Sequence, residues 1–75
     1  MERKRYHVVP EQGDWKLELE GGGRASGVFD TKGAAVERGI ELARSQGHSQ
    51  LIIHKQDGTI QEERTYGSDP FPPRG

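Results

Sequence analysis

The sequence predicts an α+β fold: an antiparallel β-sheet, in the order β-β-β-α-β-β, packed on one amphipathic α-helix and followed by an extended, Pro-rich C-terminal tail. Two changes of periodicity predict it. Apolar and polar residues alternate around residue 17, as in a strand with one solvated face, and a β-branched apolar run follows residue 50. Between these regions, apolar residues recur with helical spacing.

Length and composition indicate one small domain. The chain has 75 residues, of which 29% are hydrophobic, a low fraction for a folded protein. Its 11 basic and 12 acidic residues leave a net charge of only −1, whereas disordered chains usually combine low hydrophobicity with high net charge. We therefore expect a charged N-terminal arm at residues 1–5, a single α+β domain at residues 6–66 and the Pro-rich tail at residues 67–75.

Several classes of protein are not expected. No apolar run approaches the roughly 18 residues of a membrane span, and the charged start leads into no apolar stretch that would make a signal peptide. We therefore expect a cytoplasmic protein without membrane contact. The absence of cysteine excludes a disulfide framework and a cysteine-based zinc site.

Three short strands are predicted before the helix. Tyr6-His7-Val8-Val9 forms the first, and Pro10 is expected to end it because proline has no N–H to donate to a neighbouring strand. The second follows a turn at residues 11–14, and the third spans residues 24–29. The alternation predicts that these side chains face inward: Trp15, Leu17, Leu19, Ala25, Gly27 and Phe29. Those predicted to face outward in the third strand are Arg24, Ser26 and Val28.

One amphipathic helix is predicted near residues 32–46. Val36, Ile40 and Ala43 share one face, with charged residues mostly opposite. Asp30 and Thr31 are residue types that accept hydrogen bonds from the first-turn amides, and Gly47 is well placed to end the helix.

Two strands are predicted after the helix. Leu51-Ile52-Ile53 indicates a buried strand, and Asp57-Gly58 is a strong hairpin signal that joins it to a strand at residues 59–65. Ile60 is expected to face inward there.

The chain also resembles a known family. The residues that carry the resemblance are, in order, Tyr6-His7-Val8-Val9-Pro10, Trp15, Arg24-Ala25-Ser26, Phe29-Asp30-Thr31-Lys32, Leu51-Ile52-Ile53-His54, Asp57-Gly58-Thr59-Ile60 and Tyr66-Gly67-Ser68-Asp69-Pro70-Phe71-Pro72-Pro73. This combination is similar to the small bacterial proteins called domain of unknown function 2188. The resemblance implies a bacterial or phage origin and a compact α+β domain. It implies no activity and transfers no functional residues.

Nucleic-acid binding is the alternative function. A three-stranded meander followed by an Ala-rich helix resembles the DNA-binding domains of plant ethylene-response factors and the arm-type domains of phage integrases, which place an exposed sheet face in the major groove. The candidate residues here are Arg3, Lys4, Arg5, Lys16, Arg24 and Lys32. However, Glu18 and Glu20 lie on the same predicted face, and DNA affinity comes mainly from neutralising phosphates.

Metal binding and catalysis have little support in the sequence. His7, His48 and His54 lack helical or zinc-finger spacing, although His7 and His54 can be neighbours across a sheet. Residues 21–23 are a glycine run that is not followed by the Lys-Ser/Thr of a phosphate-binding loop. We therefore expect no metal, no cofactor, no small-molecule substrate and no enzymatic activity.

A binding or adaptor role remains, acting through protein–protein association. A core this small gives marginal stability, so pairing of two copies as a homodimer is expected to help, and another protein is the other candidate partner. Five residues near the C-terminus are the candidate contacts: Tyr66, Pro70, Phe71, Pro72 and Pro73. This segment is either presented to a partner as a proline-rich peptide, or Phe71 folds back over an apolar edge of its own or a twin subunit.

Overall fold

The computed structural model describes residues 4–22 and 25–67. Within them lie five strands and one helix in the predicted order. The elements are β1 (Lys4–Glu11), β2 (Asp14–Leu19), β3 (Ala25–Phe29), α1 (Lys32–Ser45), β4 (Ser49–His54) and β5 (Ile60–Tyr66). Arg3, Arg24 and the tail residues Pro70, Phe71, Pro72 and Pro73, which carried predictions, lie outside the described residues.

The five strands form one mixed sheet in the order β3-β2-β1-β4-β5. The α+β class is confirmed, but the prediction of a purely antiparallel sheet was wrong because β1 and β4 pair in parallel. The order of elements explains this. β2 is antiparallel to β1 and β3 is antiparallel to β2, so β3 runs in the same direction as β1. The helix then returns the chain to the end of the sheet where β1 and β3 begin, so β4 runs in the same direction as these two strands. Once β4 lies beside β1, the two strands must be parallel.

The central position of β4 explains its uninterrupted apolar sequence. Leu51 and Ile53 face α1, with 0% and 2% of their surfaces exposed. Ile52 points to the opposite face of the sheet, yet it is also 0% exposed, and it pairs with His7 on one side and Glu63 on the other. A strand buried on both faces has no need of alternating polarity. The predicted buried strand is therefore confirmed.

The core lies between α1 and one face of the sheet. Trp15 is 8% exposed, and it belongs to the same buried cluster as the fully buried Val8 and Leu17 of the sheet and Ala35 and Ala43 of the helix. Full burial of larger apolar side chains stabilises a fold by about 1.5–3 kcal/mol each. The predicted apolar contact between helix and sheet, with the indole inside it, is confirmed.

The helix begins and ends close to the predicted residues. Thr31 is the N-cap, and its Oγ1 accepts a hydrogen bond from the Ala34 N–H at 3.2 Å. Gln46 is the C-cap, and Gly47 follows with a φ of +86°, a conformation that glycine adopts without the strain of a Cβ atom. No helix in the described part of the chain is long and apolar enough to cross a membrane.

Two irregularities in strand pairing reverse predicted side-chain directions. The register shifts between Ile53 and His54, so Ile60 pairs with His54 and is 50% exposed instead of inward. It also shifts between Leu17 and Glu18, so Ala25 pairs with Glu18 and is exposed. A bulge moves the residues beyond it to the other face, because side chains alternate along a strand. The inward predictions for Ile60 and Ala25 were therefore wrong.

The first strand is longer than predicted. It begins at Lys4, inside the segment expected to be an arm, and it continues through Pro10 to Glu11. Pro10 pairs with Trp15 of β2, whereas the pairing of β1 with β4 ends at Val8. Proline is tolerated there because one side of the strand has no neighbour that needs an N–H.

The turn between β4 and β5 confirms the Asp57-Gly58 hairpin. Gly58 has a φ of +93°, and the Asp57 carboxylate accepts hydrogen bonds from the backbone N–H of Thr59 at 3.0 Å and from its hydroxyl at 2.7 Å. These bonds favour the charged carboxylate and so lower the pKa of Asp57.

Candidate functional site

The sheet face opposite α1, called the open face below, is the candidate site. Its side chains come from all five strands, and their positions follow from the pairing registers. They include Arg5, His7, Val9, Lys16, Glu18, Ala25, Val28, Gln50, Ile52, His54, Ile60, Glu63 and Thr65. Most are polar, so this face resembles an ordinary solvated surface except where its side chains contact one another.

A groove of about 460 Å³ lies on the open face. Its lining includes His7, Val9, Lys16, Glu18, Glu20 and His54. The bulge in β3 contributes to its shape, because Ala25, which this bulge places opposite Glu18, also borders the groove. The groove is thus built from charged and imidazole groups around a small apolar patch.

The lysine of the groove is held by carboxylates. The Nζ atom of Lys16 lies 3.3 Å from Oε1 of Glu11 and 3.5 Å from Oε1 of Glu18. The hydrogen bond with Glu11, together with the negative charges of both carboxylates, raises the pKa of Lys16. Its charge is therefore compensated within the protein.

A hydrogen-bonded chain crosses the open face, and we call it the histidine chain. His7 Nε2 lies 2.6 Å from Oε1 of Glu20, and His7 Nδ1 lies 2.9 Å from His54 Nε2. His54 Nδ1 lies 2.9 Å from the carbonyl oxygen of Gly58. The histidine chain links β1 and β4 to Glu20, the residue after β2, and to the β4–β5 turn. It confirms that His7 and His54 are neighbours across the sheet.

Glu20 is the acidic end of the histidine chain. Its hydrogen bond with His7 lowers the pKa of this carboxyl group, and the charge of Arg5 acts in the same direction. The Arg5 guanidinium lies 3.7 Å from Oε2 of Glu20. The carboxylate therefore stands between two groups that favour its charged form.

The described cations proposed for nucleic-acid binding fall on two sides of the molecule. Arg5 and Lys16 share the open face, where both contact carboxylates. Lys4 pairs with Ser49 and lies in the alternate set of β1 side chains, which faces the helix. Lys32 belongs to α1, where its Nζ lies 5.1 Å from the centroid of a Trp15 ring and donates to the side-chain oxygen of Gln61. The structure thus places Arg5 and Lys16 on one face, where Lys16 pairs with Val9, four residues from Arg5 along β1, and places Lys4 and Lys32 on the helix side.

Histidine, aspartate and glutamate side chains are the candidate metal ligands of this chain. Among residues 4–22 and 25–67, no group of three or more His, Asp or Glu side chains is placed to hold a metal ion. All four ring nitrogens of His7 and His54 have hydrogen-bond partners in the histidine chain. The arrangement is suited to holding protons.

Tyr66 is the described member of the predicted partner contacts. It pairs with Ser49 at the end of β5 and packs, half-buried, against the core cluster. Part of its surface is thus already used inside the domain.

The two edges of the sheet differ in charge. β3 forms one edge and consists of the uncharged residues Ala25, Ser26, Gly27, Val28 and Phe29. β5 forms the other edge and carries Glu62, Glu63 and Arg64 in the middle of its sequence. Val28 and Ile60 are the large apolar side chains most exposed in the described residues, at 56% and 50%, and they lie at opposite edges of the open face.

Comparison with known proteins places the chain in a family. A family model described as "Uncharacterized protein conserved in bacteria (DUF2188)" matches residues 6–66. The chain is also similar to "Uncharacterized protein YdaT" of Bacillus subtilis (strain 168), with 37% identity over 65 residues, which cover 87% of this chain and 43% of that relative. The chain thus spans less than half the length of this curated relative. No solved structure matches it. Because the family model covers most of the chain, the chain belongs to the bacterial family DUF2188.

Proposed function

We propose that this chain is a non-enzymatic binding module that acts through protein–protein association, with a second copy of itself as the partner along β3. The observation that carries the proposal is the uncharged edge of the sheet at Ala25–Phe29. An edge strand presents backbone N–H and C=O groups that can pair with another strand, and proteins usually block such pairing with charges or proline. β3 has neither, and its bulge at Ser26 leaves Gly27–Phe29 as the regular part of this edge, whereas β5 has three charged residues.

The residues of β3 also suit a symmetric pairing. An antiparallel pair related by a two-fold axis at Val28 would place the two Val28 side chains opposite each other on the open face, and Phe29 opposite Gly27 of the second copy. This pairing uses only the regular part of β3, beyond its bulge. No like charges meet in this arrangement, and the small residues let the strands approach. If the β5 strands of two copies paired about a two-fold axis at Glu63, the two Glu63 carboxylates would lie opposite each other, which is unfavourable. The charge pattern therefore favours β3 as the self-associating edge.

The groove supports a binding role over a catalytic one. Lys16 pairs with Glu11 and Glu18, and His7 pairs with Glu20 and His54. These groups satisfy one another, whereas a catalytic site keeps a nucleophile or base directed at substrate. The same ion pairs weigh against nucleic-acid binding by Arg5 and Lys16, because phosphates would compete with carboxylates already in place.

The experiment compares two lysine substitutions at the exposed apolar residues. Val28→Lys puts a charge on β3, and Ile60→Lys puts one at the β5 edge, where the side chain is similarly exposed. Sedimentation velocity at concentrations from micromolar to millimolar should show wild type and Ile60→Lys forming dimers. Val28→Lys should sediment as a monomer.

Other outcomes have distinct meanings. A wild-type chain that stays monomeric throughout this concentration range contradicts self-association. Dimerisation lost in both variants contradicts the choice of β3 and points to the whole open face. A mobility shift with DNA or RNA at low salt, abolished by Lys16→Gln, would favour the nucleic-acid alternative instead.

A further inference from the structure

The histidine chain requires a specific number of protons. A carbonyl oxygen and a carboxylate only accept hydrogen bonds, so Gly58 and Glu20 must each receive an N–H from the imidazoles. The contact between His7 Nδ1 and His54 Nε2 needs a third proton. Two neutral imidazoles carry only two N–H protons between them. The three hydrogen bonds therefore form together only when the pair holds one additional proton.

The other two protonation states of the histidine pair do not allow all three hydrogen bonds of the histidine chain. With both imidazoles neutral, one of the three contacts brings two acceptors together. With both charged, N–H groups face each other across the 2.9 Å contact between His7 and His54. The lowered pKa of Glu20, caused first by its hydrogen bond to His7, agrees with a carboxylate that faces an N–H.

The surrounding charges are of mixed sign. On the open face, Arg5 comes from β1, and Lys16 and Glu18 come from β2, where Glu18 is the register partner of His7. Lys55 follows β4, and Glu63 of β5 pairs with Ile52, which is the register partner of His7 in β4. β3 contributes uncharged residues, and α1 packs on the other face of the sheet. Glu20 is the carboxylate that is hydrogen-bonded directly to an imidazole, so it determines how many protons the two histidines hold.

We propose that Glu20, His7, His54 and the Gly58 carbonyl form a proton-binding site that holds one proton more than two neutral imidazoles, takes up this proton on folding in neutral and alkaline solution, and makes the open face pH-sensitive. Release of this proton breaks one of the three links. Because Glu20, His7 and His54 all line the groove, its wall changes when the link breaks. The proposal is independent of self-association through β3.

The first test uses the wild-type chain labelled with ¹⁵N. Long-range ¹H–¹⁵N correlation spectra report which imidazole nitrogens carry protons. Near pH 6 we expect one shared positive charge on the pair, with a proton on His54 Nδ1 and another on His7 Nε2. A neutral His54 with its proton on Nε2, or two imidazoles that gain their protons independently, would overturn the proposal.

The second test replaces the carboxylate with an amide. In Glu20→Gln, the amide N–H donates to His7 Nε2, so two neutral imidazoles complete all three bonds. In wild type, the folded chain keeps a proton that the unfolded chain has lost, so the stabilisation is present at lower pH and lost as pH rises. The unfolding equilibrium constant should therefore rise above about pH 6.5, by up to about tenfold per pH unit. In Glu20→Gln this rise should be absent.

The control is Glu18→Gln. Glu18 lies on the same face opposite His7, but it forms its ion pair with Lys16 and not with an imidazole. This variant should keep the wild-type pH dependence. Parallel curves for wild type and Glu20→Gln between pH 6 and 8.5 would contradict the proposal, and so would loss of the dependence in Glu18→Gln alone.

On the acid side, the sign reverses. A carboxylate whose pKa is lowered by folding contributes stability above its unfolded pKa, and this contribution is lost as pH falls through the folded value. Wild type should therefore also lose stability in acid relative to Glu20→Gln. The difference between the two chains should be largest in weakly acidic solution.

Discussion

At the scale of single residues, Gly39 shows how closely the helix approaches the sheet. It is buried in the middle of α1, and a Cβ added there would lie 2.8 Å from Cδ1 of Leu51 and 3.2 Å from Cδ1 of Leu17. Both leucines are 0% exposed and so have little room to move. Despite its poor helix propensity, glycine at this position lets α1 lie directly on β2 and β4.

We predict that Gly39→Ala destabilises the domain. The gain in helix propensity is about 1 kcal/mol, whereas overpacking a filled core costs about 1–3 kcal/mol. The free energy of unfolding should fall by about 1 kcal/mol in urea titrations. Gly33→Ala is the matched control, because Gly33 lies in the first turn of α1 with no atom within 4 Å of its added Cβ. It should raise stability by about 0.5–1 kcal/mol, and a stabilising Gly39→Ala would contradict the close approach.

At the scale of elements, the end of α1 is joined to the start of β4 by a buried side chain. Ser49 is 0% exposed, and its hydroxyl donates to the carbonyl oxygen of Ala43. The same carbonyl oxygen also accepts a hydrogen bond from the backbone N–H of the C-cap Gln46 at 3.3 Å, so the Ser49 hydroxyl is its second donor and fixes the end of the helix against the strand.

We predict that Ser49→Ala lowers the free energy of unfolding by about 1 kcal/mol, because the Ala43 carbonyl loses its buried side-chain donor and keeps only the Gln46 N–H. Ser45→Ala is the control, since Ser45 is exposed and its hydroxyl donates to the carbonyl of Leu42 within the helix. Its effect should stay within about 0.5 kcal/mol. Chemical denaturation of both variants measures the difference, and equal effects would show that the Ser49 bond has no structural role.

The elements were predictable from sequence because their signals are local. Thr31 and Gly47 delimit α1, the alternation around Leu17 identifies β2, and Asp57-Gly58 forms the last turn. The strand neighbours were not predicted as readily, since they depend on contacts between distant segments. Even so, the parallel pairing of β1 and β4 follows from the element order once these strands are adjacent.

The candidate site was less predictable than the fold. A bulge at Gln61 of β5 turns Ile60 outward, and no local sequence pattern distinguishes Ile60 from an inward strand residue. The sequence allows His7 and His54 to be neighbours across the sheet. Glu20 joins them because the β1–β2 hairpin returns the polypeptide beside His7, which the sequence alone does not indicate. The signal was the position of both histidines on polar sides of strands, which becomes informative only with the strand order.

At the scale of the whole molecule, one helix covers one face of a five-stranded sheet, and no other described element covers the opposite face. The buried cluster is small, and a chain of 75 residues has little stability to spare. Association along β3 would extend the sheet and satisfy its edge. Folding and self-association should then be coupled, because a partner that binds only the folded state stabilises it by mass action.

This coupling gives a prediction that can be tested without measuring the mass of the monomer or the dimer. If β3 is the self-associating edge, the midpoint temperature of unfolding should rise with concentration for wild type, by a few degrees over a hundredfold range. Val28→Lys should unfold at a midpoint temperature that is independent of concentration, because Val28 is 56% exposed and its replacement affects the edge more than the core. Differential scanning calorimetry at low and high concentration measures both. A concentration-independent wild type would contradict self-association, whereas a Val28→Lys chain that still responds to concentration would move the contact away from β3.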